Sequence, residues 1–304
     1  MTILVAGATG LAGSAIVREL TRIGKTVVGI SSRDVDLLDR NATFNYLNKL
    51  KPEVIINAAA RVGGISANSN YPVKFLSENI RIHTNLIDAA HNAKVEKFIF
   101  LGSSCVYPKN CQQPIKEEYL LTGALESTHS AFAIANLAGI ELIKAYRKEF
   151  SHKWISTILP NLYGPNDNFD LESSPVFPAL IRKFIEAKKS NANVVNLWGS
   201  GKPRREFLHV DDLAKAIITC LDHYNLDQQI NIGTGIDLTI AELAEKIAKN
   251  TGFMGRIDWD TAKEDGTRQK VLDIQKITNL GWKPIIDLDQ GIKLTVEWYL
   301  NKKQ

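Results

Sequence analysis

The sequence predicts an α/β protein in which a doubly wound parallel sheet carries a smaller, interdigitated C-terminal portion. Three observations predict it: strand-length apolar runs alternate with helix-length segments, a glycine-rich turn joins the first run to the first helix, and the alternation loosens after Asn161. Residues 3–6 give the first strand, 14–23 the first helix and 26–30 the second strand, a βαβ unit. Strand 54–57, helix 75–93, strand 97–101, helix 131–150 and strand 154–159 continue it. Such strands read as unbroken apolar runs because helices cover both faces of a parallel sheet. Pro165, Pro175, Pro178 and Pro203 then punctuate a stretch holding a helix over 176–187 and an apolar segment over 194–198. A helix over 211–221 opens on acidic residues, and strand 229–232 is expected to return the chain to the sheet. Helices over 240–251 and 288–298 complete the reading. It divides the chain into a part made of 1–160 with about 209–235, and a part made of about 161–208 with 236–304.

Composition narrows the classes. A chain of 304 residues with 44% apolar and 23% charged side chains buries a large core and is not disordered. No stretch approaches a membrane span, and Met1 leads into an apolar run without a basic segment, so a cytoplasmic protein is expected. A net charge of +4 spread along the chain argues against nucleic acid and leaves small phosphorylated ligands open. Cys105, Cys111 and Cys220 are odd in number and show no paired spacing, which predicts neither a disulfide framework nor a metal site.

Gly7, Gly10 and Gly13 fall in the run GATGLAG between strand and helix. Bare backbone there lets a pyrophosphate approach, and the helix N-terminus supplies amide donors, as in a Rossmann-type dinucleotide site. Thr9 and Leu11 lie in the same turn. The second strand ends Gly29-Ile30-Ser31-Ser32-Arg33, with a cation where an NAD site offers a carboxylate, so NADP is expected over NAD. Arg33 also suits a solvated loop. Asn57, Ala58 and Ala59 close the third strand with small residues against which a coenzyme can lie, although a crowded strand end has the same composition.

Several motifs carry a resemblance: Gly63-Gly64, Gly102-Ser103-Ser104-Cys105-Val106-Tyr107-Pro108, Pro114-Ile115-Lys116-Glu117-Glu118-Tyr119-Leu120-Leu121, Asn161-Leu162-Tyr163-Gly164-Pro165, and Arg205-Glu206-Phe207-Leu208-His209-Val210-Asp211-Asp212. Together they resemble the GDP-L-fucose synthase branch of the extended short-chain dehydrogenases/reductases over essentially the whole chain. The resemblance implies epimerisation of a GDP-4-keto-6-deoxyhexose at C3 and C5, followed by NADPH reduction of its C4 ketone. The ketone acidifies both neighbouring carbons, so a base and an acid on opposite faces can invert each centre. Ser103 and Cys105 match the family's catalytic Ser and Cys. The Tyr-x-x-x-Lys pair reads Phe132 and Asn136, and Pro175 stands where the family has a His. Phe132 keeps a ring without a proton, Asn136 a polar group without a charge. Tyr107, Tyr119 and His129 are candidate replacements.

For the nucleotide-sugar, the resemblance implies contacts from Arg182 or its neighbour Lys183, Trp198, Arg205, Asn161 and Lys270, the last from a segment Asp265-Gly266-Thr267-Arg268-Gln269-Lys270 that lacks the family's proline. Guanidinium and ammonium groups suit a diphosphate, and a flat apolar ring suits a base. His209 reads as structural. The long helices over 75–93 and 131–150 resemble the family's dimerisation pair and predict a homodimer. A different class stays open: a non-catalytic relative that binds coenzyme and nucleotide-sugar as a partner subunit.

Overall fold

The computed structural model describes residues 1–263 and 265–302. In chain order the elements are β1 (Thr2–Ala6), α1 (Leu11–Arg22), β2 (Thr26–Ile30), α2 (Arg40–Leu50), β3 (Val54–Asn57), α3 (Ile65–Asn70), α4 (Asn79–Asn92), β4 (Lys97–Ser103), α5 (Ser130–Phe150), β5 (Ile155–Leu159) and β6 (Asn161–Tyr163). There follow α6 (Val176–Lys189), β7 (Val194–Trp198), β8 (Arg204–His209), α7 (Val210–His223), β9 (Ile230–Asn231), β10 (Asp237–Thr239), α8 (Ile240–Thr251), β11 (Arg256–Asp260), β12 (Gln269–Lys270), α9 (Gln275–Asn279) and α10 (Leu288–Lys302).

Six parallel strands in the order β2-β1-β3-β4-β5-β9 make the main sheet. The chain does return to it through β9, as the sequence predicts. Ile3, Val5 and Ile56 point to one face and pack with Ile16 and Leu20 of α1 and Leu213 and Ile217 of α7. Leu4 and Ile55 point to the other, against Leu47 of α2, Leu86 of α4 and Ile140 of α5. This alternation explains the continuous apolar runs, since every strand residue has a covered face.

A third core lies outside the sheet, where Phe177, Ile181 and Phe184 of α6 meet Leu243 and Ile247 of α8 and Ile292 of α10. Two features of this region escaped the sequence reading. β8 is the centre of a small sheet that pairs with β6, β10 and β12, and β7 pairs in parallel with β11. These strands are two to six residues long and partly solvated, so they lack the apolar signature of the main sheet. Glu206 joins the pieces: its buried carboxylate accepts from the Gly235 amide at 2.7 Å and the Leu272 amide at 2.8 Å.

Boundaries shift by a few residues. α1 starts at Leu11 rather than 14, and the helix expected over 75–93 is a wide π-type turn at 74–78 running into α4. α7 starts at Val210, capped by the His209 ring, whose Nδ1 accepts from the Asp211 amide at 3.2 Å; the cap is thus the imidazole and not a carboxylate. Among the described residues no helix is long and apolar enough to cross a membrane.

Candidate active site

The turn between β1 and α1 is shaped by contacts that only glycine permits. Gly7 has φ of 77°, and a Cβ there would lie 2.7 Å from the Ala58 carbonyl oxygen. A Cβ on Gly13 would overlap the Gly7 carbonyl, so α1 rests directly on the loop. Gly10 differs, because its φ of −82° is open to any residue and a Cβ would touch only the Gly7 oxygen, at 3.4 Å. Helical bonding begins with the Ser14 amide on the Gly10 carbonyl at 3.0 Å, so the amides of Leu11, Ala12 and Gly13 precede the ladder and form an anion-binding helix end. Thr9 is exposed beside them.

Past the end of β2, Arg33 is exposed, and among the described residues no carboxylate lies within ion-pairing distance of it. The adjacent Asp34 is turned into its own loop, accepting from the Ser31 amide and hydroxyl at 2.8 Å each, which holds its carboxyl below the usual range. Asn57 is buried scaffolding. Its Oδ1 accepts from the Ala59 amide at 3.0 Å while Nδ2 faces His83 at 3.5 Å, leaving the backbone of Ala58 and Ala59 as the wall beside Gly7.

Ser103 ends β4, and its Oγ accepts from the Cys105 amide at 3.4 Å to start a single helical turn over 104–106. Cys105 is buried, which pushes its thiol up, while the Lys270 charge pulls it down. Lys270 lies on β12 in register with Arg205 on β8. Burial lowers both cations from their ordinary values, with Cys105 opposing this at Lys270 and Glu126 opposing it at both. Glu126 accepts from Thr267 Oγ1 at 3.1 Å and pairs with Lys109 at 3.2 Å. Three residues later His129 is pulled down to about 4 by burial and by Lys270, with Glu126 opposing and Arg205 adding. Cys105, Lys270, Arg205, Glu126 and His129 therefore share one neighbourhood, beyond the C-terminal end of β4, where ligands of doubly wound sheets bind.

The substituted positions are settled into local packing. The Phe132 ring meets Phe75 edge-on, centroids 6.3 Å apart. Asn136 is buried and donates to the Phe132 carbonyl at 3.0 Å, one turn back on its own helix, instead of reaching toward a ribose. Pro175 caps α6 against Gly64, whose amide donates to the Ser173 carbonyl at 3.0 Å.

Of the nucleotide-sugar candidates, Arg182 points to Glu186 (2.7 Å) and to the Phe169 carbonyl (3.0 Å). Lys183 instead reaches the Asn196 carbonyl of β7 at 3.4 Å, on the strand that ends at Trp198, and burial lowers its pKa. Of the two, Lys183 therefore faces β7 and Arg182 does not, because one residue turns a helical side chain by about 100°. Trp198 is exposed, with Lys263 Nζ 5.4 Å from its ring centre. Asn161 donates to the Glu206 carbonyl at 3.0 Å and ties β6 to β8. Tyr107 is buried with its hydroxyl donating to Asn231 at 2.6 Å, and the Tyr119 hydroxyl faces Gln112 at 3.4 Å, so of the three candidate replacements only His129 borders the Lys270 and Arg205 cluster. Glu126 was not anticipated, its one signal being a lone acid just before the long helix, and Thr267 was read only as part of the 265–270 segment.

Residues 3–233 match the model of the NAD dependent epimerase/dehydratase family. The chain belongs to that family. It is 49% identical to putative GDP-L-fucose synthase 2 of Arabidopsis thaliana, over 98% of this chain and 91% of that protein. Identity to the GDP-L-fucose synthase of Escherichia coli is 43%, over 99% of this chain and 97% of that protein. A GDP-L-fucose synthetase of Naegleria fowleri bound to NADP superposes with a TM-score of 0.91 at 29% identity, covering 99% of this chain and 94% of that one.

Proposed function

We propose that this chain is an NADPH-dependent epimerase/reductase of a GDP-4-keto-6-deoxyhexose. The observation that carries the reading is the convergence of Cys105, Lys270 and Arg205 beyond the sheet end whose other corner is the glycine turn. The turn fits the coenzyme: Gly10 leaves open space, the first amides of α1 take the pyrophosphate, and Arg33 takes a 2′-phosphate. Bound there, NADPH supplies a hydride. Lys183, Arg205 and Lys270 offer cations to the diphosphate, Trp198 a ring to the base, and Asn161 and Arg182 frame the pocket through Glu206 and Phe169. Cys105 exchanges the protons on the carbons flanking the ketone, and Ser103 holds the turn that aims it. The part made of 161–208 and 236–304 then serves the sugar nucleotide, and the remainder serves the coenzyme. A homodimer through α4 and α5 is supported by Ile134, 46% exposed on α5; light scattering that reports a monomer at micromolar protein would contradict it.

The test is calorimetric titration with NADPH, NADH and GDP, followed by NADPH absorbance with the 4-keto sugar. Binding of both ligands with oxidation of NADPH is expected, and absence of GDP binding removes the reading. The competing reading is a binding-only subunit. Phe132, Asn136 and Pro175 are packed as structural residues, and two-ligand binding with no turnover and no solvent deuterium incorporation into the sugar would establish it.

A further inference from the structure

We infer that His129 supplies the proton that the ketone oxygen takes up on reduction, and that the hexose occupies the cavity between α3 and the start of α5; the inference rests on the reductase reading above. His129 is the N-cap residue of α5, three before Phe132 and seven before Asn136. The ring is partly buried, with Nδ1 3.1 Å from Thr128 Oγ1. It lines a cavity of about 300 Å³ whose opposite wall is Asn68, Ser69 and Pro72 of α3 and the residues after it.

That wall carries an independent sign of a ligand. Asn68 is 4% exposed, and its amide nitrogen donates to the carbonyls of Gly63 at 2.9 Å and Gly64 at 3.0 Å. Its Oδ1 is buried without a hydrogen-bond partner among the described residues. A buried amide oxygen without a partner is unfavourable, and a sugar hydroxyl donating to it removes that cost. The cavity thus offers an acceptor on one wall and an imidazole on the other. Those are the groups a keto-hexose needs, one for a hydroxyl and one for the carbonyl oxygen.

The step balances without Tyr or Lys. Hydride adds to C4 as the carbonyl π bond breaks, its electron pair goes to oxygen, and the oxygen takes the proton from the His129 imidazolium. Water at the cavity mouth restores that proton, and the coenzyme leaves oxidised. Among the described residues three charged groups face His129: Lys270 from β12, Arg205 from β8 and Glu126 from the preceding turn, while Asn68 and Ser69 of α3 are neutral. In the free protein the imidazole is held down to about 4 by burial and the two cations, so it is uncharged at neutral pH. A diphosphate between Arg205 and Lys270 offsets both cations, leaving burial as the one depressing influence. Substrate therefore moves its proton donor back up toward the ordinary imidazole value, with burial still opposing.

Two measurements test this. NMR titration of the His129 ring with and without GDP should show its midpoint moving up by at least a pH unit when GDP is present; an unmoved midpoint overturns the inference. With NADPH and the 4-keto sugar, kcat of the unmodified protein should fall as pH rises above the liganded midpoint. His129→Gln should lower kcat about 10²-fold with KM within about threefold, and flatten the profile. Equal kcat in the variant, or a flat profile in the unmodified protein, overturns the assignment. Binding of NADPH and GDP without turnover overturns it while leaving the binding half of the functional reading intact, whereas failure to bind GDP sinks both.

Discussion

Gly10→Ala separates the coenzyme's needs from the fold's. The backbone at Gly10, φ −82° and ψ 177°, suits any L residue, and the added methyl meets only the Gly7 oxygen, at 3.4 Å. The fold therefore loses only the difference between Gly and Ala at a helix N-cap, about 0.5–1 kcal/mol, a shift of about 1–2 °C in Tm. A pyrophosphate lying on the first amides of α1 has to share the same space. Displacing it breaks one or two charge-assisted hydrogen bonds worth about 1.5–3 kcal/mol each, so NADPH affinity should fall by about tenfold to a hundredfold or more. Gly13→Ala inverts the pattern. Its methyl overlaps the Gly7 carbonyl, α1 has to move, and Ala15, Ile16 and Leu20 move with it, costing about 1–3 kcal/mol before any ligand is added. Fluorescence titration with NADPH alongside thermal melts reads both quantities. A Gly10→Ala protein that binds NADPH as the unmodified one does would refute the placement of the pyrophosphate on this turn.

Arg33→Ala should narrow the preference for NADPH over NADH, since Arg33 is an exposed cation just past the end of β2; parallel titrations returning an unchanged ratio would remove it from the site. Phe132→Tyr with Asn136→Lys should add a donor with its tuning ammonium, raise NADPH oxidation about 10²-fold and make His129→Gln nearly silent in that background; a double-mutant cycle checks this, and each single change should do much less. His83, buried against Phe100 and facing Asn57, is held down to about 3 by burial. A histidine depressed in the folded state contributes stability that is complete above its unfolded pKa of about 6.5 and is lost as pH falls toward the folded value, by up to about 1.4 kcal/mol per pH unit. Melts between about pH 7.5 and 5 should show that slope, and His83→Gln should flatten it at the expense of lower stability at neutral pH.

The main sheet was legible because its strands are covered on both faces, so 3–6, 54–57 and 97–101 had no choice but to be apolar. The glycine turn was legible for a similar reason: Gly7 and Gly13 are dictated by backbone contacts of under 3 Å that no side chain survives, and such demands leave a mark in one dimension. So did the motif around Ser103 and Cys105, and the departures at Phe132, Asn136 and Pro175. The small sheet around β8 left no such mark, since its strands are short and half solvated, and their pairing depends on segments 161–163, 204–209, 237–239 and 269–270 meeting from far apart in the chain. Which of Arg182 and Lys183 turns toward Trp198 depended on the phase of α6 against β7, a quantity the sequence does not carry. The same holds for His129: as a letter before a helix it was one of three equal candidates. What separates them is tertiary: the Tyr107 hydroxyl is tied to Asn231, the Tyr119 hydroxyl faces Gln112, and Lys270 and Arg205 come from the last third of the chain to the imidazole. Local backbone demands and two-sided burial are written residue by residue, whereas the charge around a side chain is a sum over distant segments and exists only once they have been folded together.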